Sequence, residues 1–244
     1  MRLEWGPTGA AAVAAEADIA VVVDLLSFTT TLCVALERGI TVYPYPWRDA
    51  GAGEYAAARS AALAVGRLEA GGAPTGQARV SLSPAQVAAV SGVERLVLPS
   101  PNGSSICFDL AATGVEVLGA CLRNRSAVAR WLAPRVASGT RVAVVAAGER
   151  WPDGSLRPGV EDLWGAGGVI AGLLELGATG LSPEALMAAA AYDAVKDRLG
   201  DGLLGCASGQ ELASAGFADD VAVAAEHDVS DVVPLLQGDA FGLG

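Results

Sequence analysis

The chain has 244 residues, 52% of them hydrophobic and 18% charged, which supplies a sizeable core and excludes a disordered or collagen-like protein. With 27 acidic and 16 basic side chains the net charge is -11, so the chain lacks the basic surface typical of nucleic-acid binding, and we expect no nucleic-acid partner. It contains no apolar stretch of about 18 residues and no cationic-then-apolar leader, which predicts a cytoplasmic protein with no membrane partner.

Apolar runs typical of buried strands alternate with helix-like segments through the first two thirds of the chain. The predicted strands cover residues 19–24, 40–45, 94–98, 115–118 and 140–146. The predicted helices cover residues 27–38, 49–64, 84–90, 127–133 and 160–176, and another ends near Ala112. This alternation predicts an α/β fold of three layers, α/β/α, around a parallel or mixed sheet.

The remainder of the chain completes a single predicted domain over residues 1–244. The C-terminal third is mostly helical in pattern, with late apolar runs at 220–224 and 232–236 that predict strands. Residues 66–83 are rich in glycine and small polar residues, which predicts a flexible loop that serves as a flap or a linker.

Four polar junctions follow predicted strands and lead into helices, at residues 24–31, 99–105, 122–126 and 147–162. In open α/β sheets, ligands bind outside the carboxyl ends of the strands, and helix starts there present N–H groups to anions. We therefore expect these junctions to line one pocket.

Three carboxylates in these junctions are candidates for chemistry. Asp24 ends the run VVVD, where burial is costly unless the charge is paired or binds a metal; the alternative is a cap for the next helix. Glu161 and Asp162 open the helix at 160–176, and the alternative for both is that they complement the helix dipole. The small residues of 164–168 permit close approach of a ligand or another backbone.

Other catalytic schemes find little support. Cys33, Cys107, Cys121 and Cys206 are widely spaced and His227 is the one histidine, so we expect buried free thiols rather than a zinc cluster. We expect His227 to lie at the surface. The chain has no GxxxxGK[ST] loop, no GxSxG elbow, no DxD nucleophile and no strand-linked GxGxxG.

Five segments in order resemble the 2-phosphosulfolactate phosphatase family, the magnesium-dependent hydrolases of the coenzyme M route. They are VVVDLLSFTTTLCVALERG, SPNGSS, CLRNRSAVARWL, VVAAGERWPDGSLRPGVEDLWGAG and SGQELASAGFADDVAVAAEHDVSDVVP, which together span roughly residues 18–235. The resemblance implies a phosphoric monoester hydrolase that converts 2-phospho-3-sulfolactate and water to 3-sulfolactate and phosphate.

The resemblance also implies the site. Asp24, Glu161 and Asp162 are the expected catalytic residues and Mg²⁺ ligands, and the nucleophile is either a water molecule or Asp24 itself. The residues expected to bind the small anionic substrate are Thr29, Thr30, Arg67, Asn102, Gly103, Ser104, Asn124 and Arg125. Within this set, Arg67 or Arg125 is expected to neutralise the end of the substrate remote from the phosphoryl group.

Two positions depart from the family pattern, because Ser27 and Ser105 stand where the family usually has arginines. Arg67, in a segment that otherwise departs from the family's Gly-Glu-Arg-Gly, matches a third arginine. Two alternatives therefore stay open: a catalytically altered member that binds a small anion, and a phosphatase for a different phosphorylated hydroxy acid. The apolar content is also compatible with a homodimer.

Overall fold

The computed structural model describes residues 1–46, 51–67 and 80–244. The strands are β1 (Arg2–Trp5), β2 (Ile19–Val23), β3 (Thr41–Tyr45), β4 (Ala62–Leu63), β5 (Arg95–Pro99), β6 (Glu116–Gly119), β7 (Val142–Ala146), β8 (Glu149–Arg150), β9 (Leu156–Arg157), β10 (Pro234–Gln237) and β11 (Ala240–Leu243). The helices are α1 (Gly6–Ala14), α2 (Phe28–Glu37), α3 (Ala52–Ala58), α4 (Pro84–Ala89), α5 (Gly103–Ala111), α6 (Arg125–Ala137), α7 (Val160–Glu175), α8 (Pro183–Asp193), α9 (Leu199–Gly205), α10 (Ala207–Ser214) and α11 (Ala218–Ala225). Short 3₁₀ turns cover Leu122–Asn124 and Lys196–Arg198.

One mixed sheet organises the described part of the chain, with strand order β1-β7-β2-β6-β10-β11-β3-β5-β4. The strands β1, β7, β2 and β6 are mutually parallel, and so are β3, β5 and β4. The antiparallel hairpin β10–β11 lies between these two groups, pairing Leu235 with Leu118 of β6 and Phe241 with Val42 of β3. A separate hairpin is formed by β8 and β9.

The central strand β2 separates two layers of side chains, because successive residues of a strand point to opposite faces. Ile19, Val21 and Val23 belong to a core cluster with residues of α6, α7 and α8. Ala20 and Val22 belong to a second cluster with residues of α1, α2, α4 and α5. Helices thus cover both faces, which confirms the three-layer α/β/α architecture with a mixed sheet.

The predicted strand at 220–224 is wrong, because these residues lie in α11. Asp219 and Asp220 occupy the first turn of this helix, where acidic side chains complement the positive N-terminal end of the dipole. Val221 and Ala224 are its buried apolar side chains, and their spacing of three residues suits one face of a helix rather than one face of a strand. The late strand predicted at 232–236 is found as β10.

Other predicted elements differ from the structure in their boundaries. The predicted helix at 49–64 is shorter and is followed by β4, while residues 49–50 lie outside the described residues. The predicted loop at 147–159 contains the β8–β9 hairpin, and the sequence pattern did not indicate β1, α1 or β11. Most of the predicted flap at 66–83, namely residues 68–79, also lies outside the described residues.

Two further expectations concern the cysteines and the membrane. All four cysteines are buried and free, as predicted. Within the described ranges, none of the helices combines the length and apolar character needed to cross a lipid bilayer.

Candidate active site

A cavity of about 310 Å³ opens at the carboxyl ends of β2, β5 and β7. Three of the four polar junctions contribute to it, those that follow β2, β5 and β7. The residues that line it are Asp24, Leu26, Ser27, Phe28, Arg67, Leu82, Leu98, Ser100, Pro101, Asn102, Glu149, Ser208, Glu211 and Leu212.

Asp24 follows the last residue of β2 and is only 4% exposed. Its Oδ2 accepts hydrogen bonds from the Gly103 amide at 2.8 Å and from the Ser100 hydroxyl at 3.3 Å, and its Oδ1 accepts from the Phe28 amide at 3.2 Å. A methyl group on Gly103 would lie 2.6 Å from the Asp24 Cβ, so only glycine permits this approach. Asp24 therefore links the start of α2 to the start of α5.

The hydrogen bond from Phe28 agrees with the capping role considered for Asp24, but this carboxylate also lines the cavity. The pKa of Asp24 is raised, mainly because burial disfavours its charged form and also because Glu161 repels it.

Asp162, in the first turn of α7, connects two other loops. Its Oδ1 accepts from the Leu25 amide at 2.7 Å and its Oδ2 accepts from the Gly148 amide at 2.8 Å. Burial and then the Asp24 charge raise the pKa of Asp162 well above its ordinary value. Both oxygens of this carboxylate thus fasten the loops after β2 and β7 to each other.

Glu161 points away from Asp162, as adjacent helical residues do. It is 2% exposed, and its Oε1 accepts a hydrogen bond from the hydroxyl of Ser208, a cavity residue from the first turn of α10. Glu161 therefore lies behind Ser208 and does not line the cavity itself.

Glu149, at the start of the β8–β9 hairpin, is a further carboxylate of the cavity. Its Oε2 accepts a hydrogen bond from Nδ2 of Asn102 at 2.8 Å. Burial, followed by repulsion from Asp24, raises the pKa of Glu149 to about 7. At neutral pH this side chain can therefore either donate or accept a proton.

Arg67 contributes a positive charge to the cavity. Its Nε donates to Oδ2 of Asp220 at 2.6 Å, and its Nη2 donates to the hydroxyl of Ser27. Ser27 in turn donates to the Leu82 carbonyl at 3.1 Å. The position where the family usually has an arginine is thus occupied by a serine that contacts a different arginine.

The structure brings together most of the predicted site residues. Asp24, Arg67 and Asn102 line the cavity, and Gly103 and Glu161 hydrogen-bond to the cavity residues Asp24 and Ser208 respectively. Asp162 does not line the cavity and accepts from the amide of Leu25, which lies between the cavity residues Asp24 and Leu26. Thr29 binds the backbone of Asp24, Thr30 donates to the Leu25 carbonyl, and Ser104 donates to the Leu98 carbonyl. These three hydroxyls shape the loops and do not line the cavity.

Asn124 and Arg125 lie elsewhere, in the junction after β6. Asn124 accepts from the Cys121 amide and donates to the Val232 carbonyl. Arg125 donates to His227 and pairs with Asp228 at 2.8 Å. Both side chains hold the C-terminal segment rather than line the cavity.

The sequence did not single out Glu149, Ser208 or Asp220, which are polar residues in or beside the cavity. Glu149 lies inside a predicted junction, but no spacing distinguished it from other surface glutamates. Asp220 lay in the segment predicted as a strand, and Ser208 had no local signal.

Asp24, Glu149 and Glu161 offer carboxylate oxygens, which are the ligands that a hard divalent cation prefers. Among the described residues, no three His, Cys, Asp or Glu side chains are grouped as ligands of one ion. Mg²⁺ in enzymes is bound by one or two carboxylates together with water and substrate phosphate, and Asp24 supplies one carboxylate from the cavity lining.

Comparisons with known proteins identify the family. A family model described as 2-phosphosulpholactate phosphatase matches residues 9–239. The chain belongs to this family. A relative from Deinococcus radiodurans, named a probable 2-phosphosulfolactate phosphatase, is 34% identical over 240 residues, which cover 93% of this chain and 91% of the relative. The family assignment makes the chain a phosphoric monoester hydrolase and confirms the resemblance drawn from the five segments.

Proposed function

We propose that this protein is a Mg²⁺-dependent hydrolase for phosphate monoesters of small 2-hydroxy acids, and that 2-phospho-3-sulfolactate is hydrolysed to 3-sulfolactate and phosphate. The observation that supports the proposal is the composition of the cavity, where Asp24 and Glu149 share one space with Arg67. The names of the family and of its Deinococcus relative indicate the ester.

We assign the Mg²⁺ site to Asp24, which lines the cavity, with Glu161 behind Ser208 adding negative charge near Asp24. Asp162, the third expected ligand, does not line the cavity, and its two oxygens join the loops through the amides of Leu25 and Gly148, so we assign it to bracing the loops. Bound there, Mg²⁺ would supply positive charge for the phosphoryl oxygens and lower the pKa of a coordinated water.

Glu149 is the residue we assign as the general acid. Hydrolysis of an alkyl phosphate leaves an alkoxide, which needs a proton as the ester bond breaks. The raised pKa of Glu149, about 7, keeps a large fraction of this carboxyl protonated near neutrality. Asn102 fixes its orientation through the hydrogen bond to Oε2.

Arg67 is assigned to the carboxylate or sulfonate of the ester. A guanidinium binds such planar or tripodal anions through several N–H groups at once. Because the Asp24 carboxylate repels an anionic group that the cation does not hold, the non-phosphoryl anion is best placed against Arg67.

The direct experiment measures phosphate release from 2-phosphosulfolactate and 2-phospholactate across a Mg²⁺ titration. We expect turnover by the unchanged protein that is lost when EDTA removes the cation. Asp24→Asn should abolish turnover, while Asp109→Asn, an exposed aspartate of α5 outside the cavity, should leave it unchanged. Mg²⁺ should also raise the Tm of the unchanged protein, because a ligand that binds the folded state stabilises it. The Tm of Asp24→Asn should not change when Mg²⁺ is added.

Each part of the proposal has its own contrary outcome. Full activity in Asp24→Asn would show that this residue only caps a helix. Equal rates with Mg²⁺ and with EDTA would remove the cation from the reaction. The absence of phosphate release from both esters at any Mg²⁺ concentration would contradict hydrolysis of this ester class and favour a family member that only binds anions.

A further inference from the structure

Asp220 is a buried carboxylate beside the cavity. It is 1% exposed, in the first turn of α11, and it does not line the cavity. It accepts hydrogen bonds from Nε of Arg67 at 2.6 Å, from the hydroxyl of Ser83, and from the amide of Ala85 at 3.3 Å. Its contacts therefore join α11, the start of α4 and the arginine of the cavity.

Arg67 is held at two points by this network. Asp220 binds Nε and Ser27 binds Nη2, and the side chain is only 16% exposed. These bonds use two of the five N–H donors of a guanidinium, so three remain for a ligand. The ring of Phe217 lies below the guanidinium carbon, 5.7 Å from it to the ring centre.

An arginine fixed in this way has less freedom to lose when an anion binds. Long side chains lose rotamer entropy when a ligand orders them, and prior fixation removes that loss from the binding step. The Asp220 carboxylate cannot itself contact the ester productively, because it repels anions and lies behind Arg67. Its contribution to recognition would act through the arginine.

We infer that Asp220 is a positioning residue for substrate recognition: it fixes Arg67 so that the guanidinium binds the carboxylate or sulfonate of the ester. The pair thereby distinguishes esters that carry a second anionic group from simple phosphate monoesters. The inference rests on the proposed function for its substrate class.

The test compares three esters that differ in one group. 2-Phospholactate carries a carboxylate, 1-sulfopropan-2-yl phosphate carries a sulfonate instead, and isopropyl phosphate carries neither. Loss of a charge-assisted hydrogen-bond pair weakens binding by roughly tenfold to a hundredfold. Asp220→Asn should therefore raise KM by about that factor for the ester whose anion Arg67 contacts, with kcat changed by less than about threefold. For isopropyl phosphate, KM should stay unchanged.

A second variant and a control complete the design. Arg67→Lys keeps the charge but lacks the fork that spans Asp220 and Ser27, so it should raise KM for the same ester; it also serves if Asp220→Asn does not fold. Asp18→Asn breaks the exposed pair with Arg141, which lies outside the cavity, and should change no kinetic constant. The sulfonate and carboxylate esters show which anion Arg67 binds.

A rise in KM of equal size for all three esters, or a loss confined to kcat, would overturn the inference and leave Asp220 a structural residue. If the unchanged protein hydrolyses neither these esters nor 2-phospho-3-sulfolactate, the proposed function fails. In that case, or if only 2-phospho-3-sulfolactate is hydrolysed, the inference is tested by calorimetry with lactate and 2-hydroxypropane-1-sulfonate. Weaker binding of one of these anions in both Asp220→Asn and Arg67→Lys would support it, and unchanged binding in either variant would overturn it.

Discussion

At the scale of single residues, the site combines carboxylates whose environments differ sharply. Asp162 accepts hydrogen bonds from two backbone amides, Asp24 accepts from two amides and a hydroxyl, and Glu149 accepts one side-chain hydrogen bond. Hydrogen bonds from N–H groups stabilise a carboxylate's charge, while burial opposes it. Glu149 accepts the fewest hydrogen bonds of the three and lines the cavity, so it is the carboxyl best placed to give a proton to a ligand.

Replacing Glu149 by glutamine tests this assignment through the leaving group. General acid catalysis contributes roughly a hundredfold to ten-thousandfold to such reactions, so Glu149→Gln should lower kcat for 2-phospholactate by about that range. Hydrolysis of 4-nitrophenyl phosphate should be much less affected, because its phenolate departs without a proton. Glu116→Gln, an exposed residue at the start of β6, is the control. Equal losses with both esters would assign Glu149 a role other than proton donation.

The residues that could be predicted for the site are those with a strong local signal. Asp24 stands out as a carboxylate at the end of an apolar run, and Asn102 as part of a turn that follows a strand. Asn124 has the same kind of signal, yet it lies away from the cavity. The difference is tertiary, because the junction after β6 is covered by the C-terminal segment, and no local pattern specifies which junction will be covered.

At the scale of elements, the contact between α7 and α8 depends on the small residues of α7. A methyl group built on Gly167 would lie 2.1 Å from the carbonyl oxygen of Ala188 in α8. The composition of residues 164–168 predicted close approach by a ligand or a backbone, and the structure shows a backbone. The helices α7 and α8 can therefore pack together only if Gly167 keeps no side chain.

We expect Gly167→Ala to lower the Tm by roughly 2–12 °C, since overpacking costs about 1–3 kcal/mol and the effect per kcal/mol is about 2–4 °C at this length. The control is Gly200→Ala in α9, where an added methyl group meets no atom within 4 Å. That variant should keep or slightly raise the Tm, because alanine favours helix more than glycine does. Calorimetric scans of both variants provide the measurement, and equal Tm values would contradict the packing argument.

The elements that could be predicted were the buried parallel strands and the long helices. The runs at 19–24 and 140–146 are apolar at every core position, as strands covered on both faces must be. The segment at 220–224 was predicted wrongly because its apolar run VAVA is too short to separate the period of a helix from that of a strand. The edge strand β1 and the hairpin strand β11 have only four residues each, which gives a weak pattern.

At the scale of the whole molecule, the C-terminal segment joins the two parallel halves of the sheet. Before it reaches β10, this segment is fastened to the junction after β6: Leu122 accepts from the Asp228 amide at 3.1 Å, and Arg123 accepts from the Ser230 amide at 3.0 Å. The Ser126 amide donates to the side chain of Asp228 at 3.0 Å. Loosening this segment would therefore disturb the connection between β6 and β3 across the sheet.

His227 is the titratable member of that attachment. Its Nε2 accepts from Nε of Arg125 at 2.9 Å and lies within hydrogen-bonding distance of the Tyr192 hydroxyl, while Nδ1 is 3.4 Å from the Asp228 carboxylate. Only a neutral imidazole can accept at Nε2. Burial, and then the Arg125 charge, lower the pKa of His227 below its ordinary 6.5, although Asp228 acts in the opposite direction.

The direction of the pKa shift sets the pH dependence of stability. As the pH falls, the unfolded chain takes up a proton on this histidine before the folded chain does, so acidification favours unfolding. The contribution of neutral His227 is complete above pH 6.5 and is lost as the pH falls from there through the lower pKa of the folded state. Asp24 and Asp162, with raised pKa values, act in the opposite direction.

The histidine contribution can be isolated by comparing the unchanged protein with His227→Gln, which retains an acceptor that does not titrate and leaves Asp24 and Asp162 in place. We expect the two free energies of unfolding in urea to be parallel above about pH 7 and to diverge below about pH 6.5, with the unchanged protein losing more stability. Phosphatase activity at neutral pH should be the same in both, because His227 does not line the cavity. Curves that stay parallel through the acid range would show that His227 does not control the attachment of the C-terminal segment.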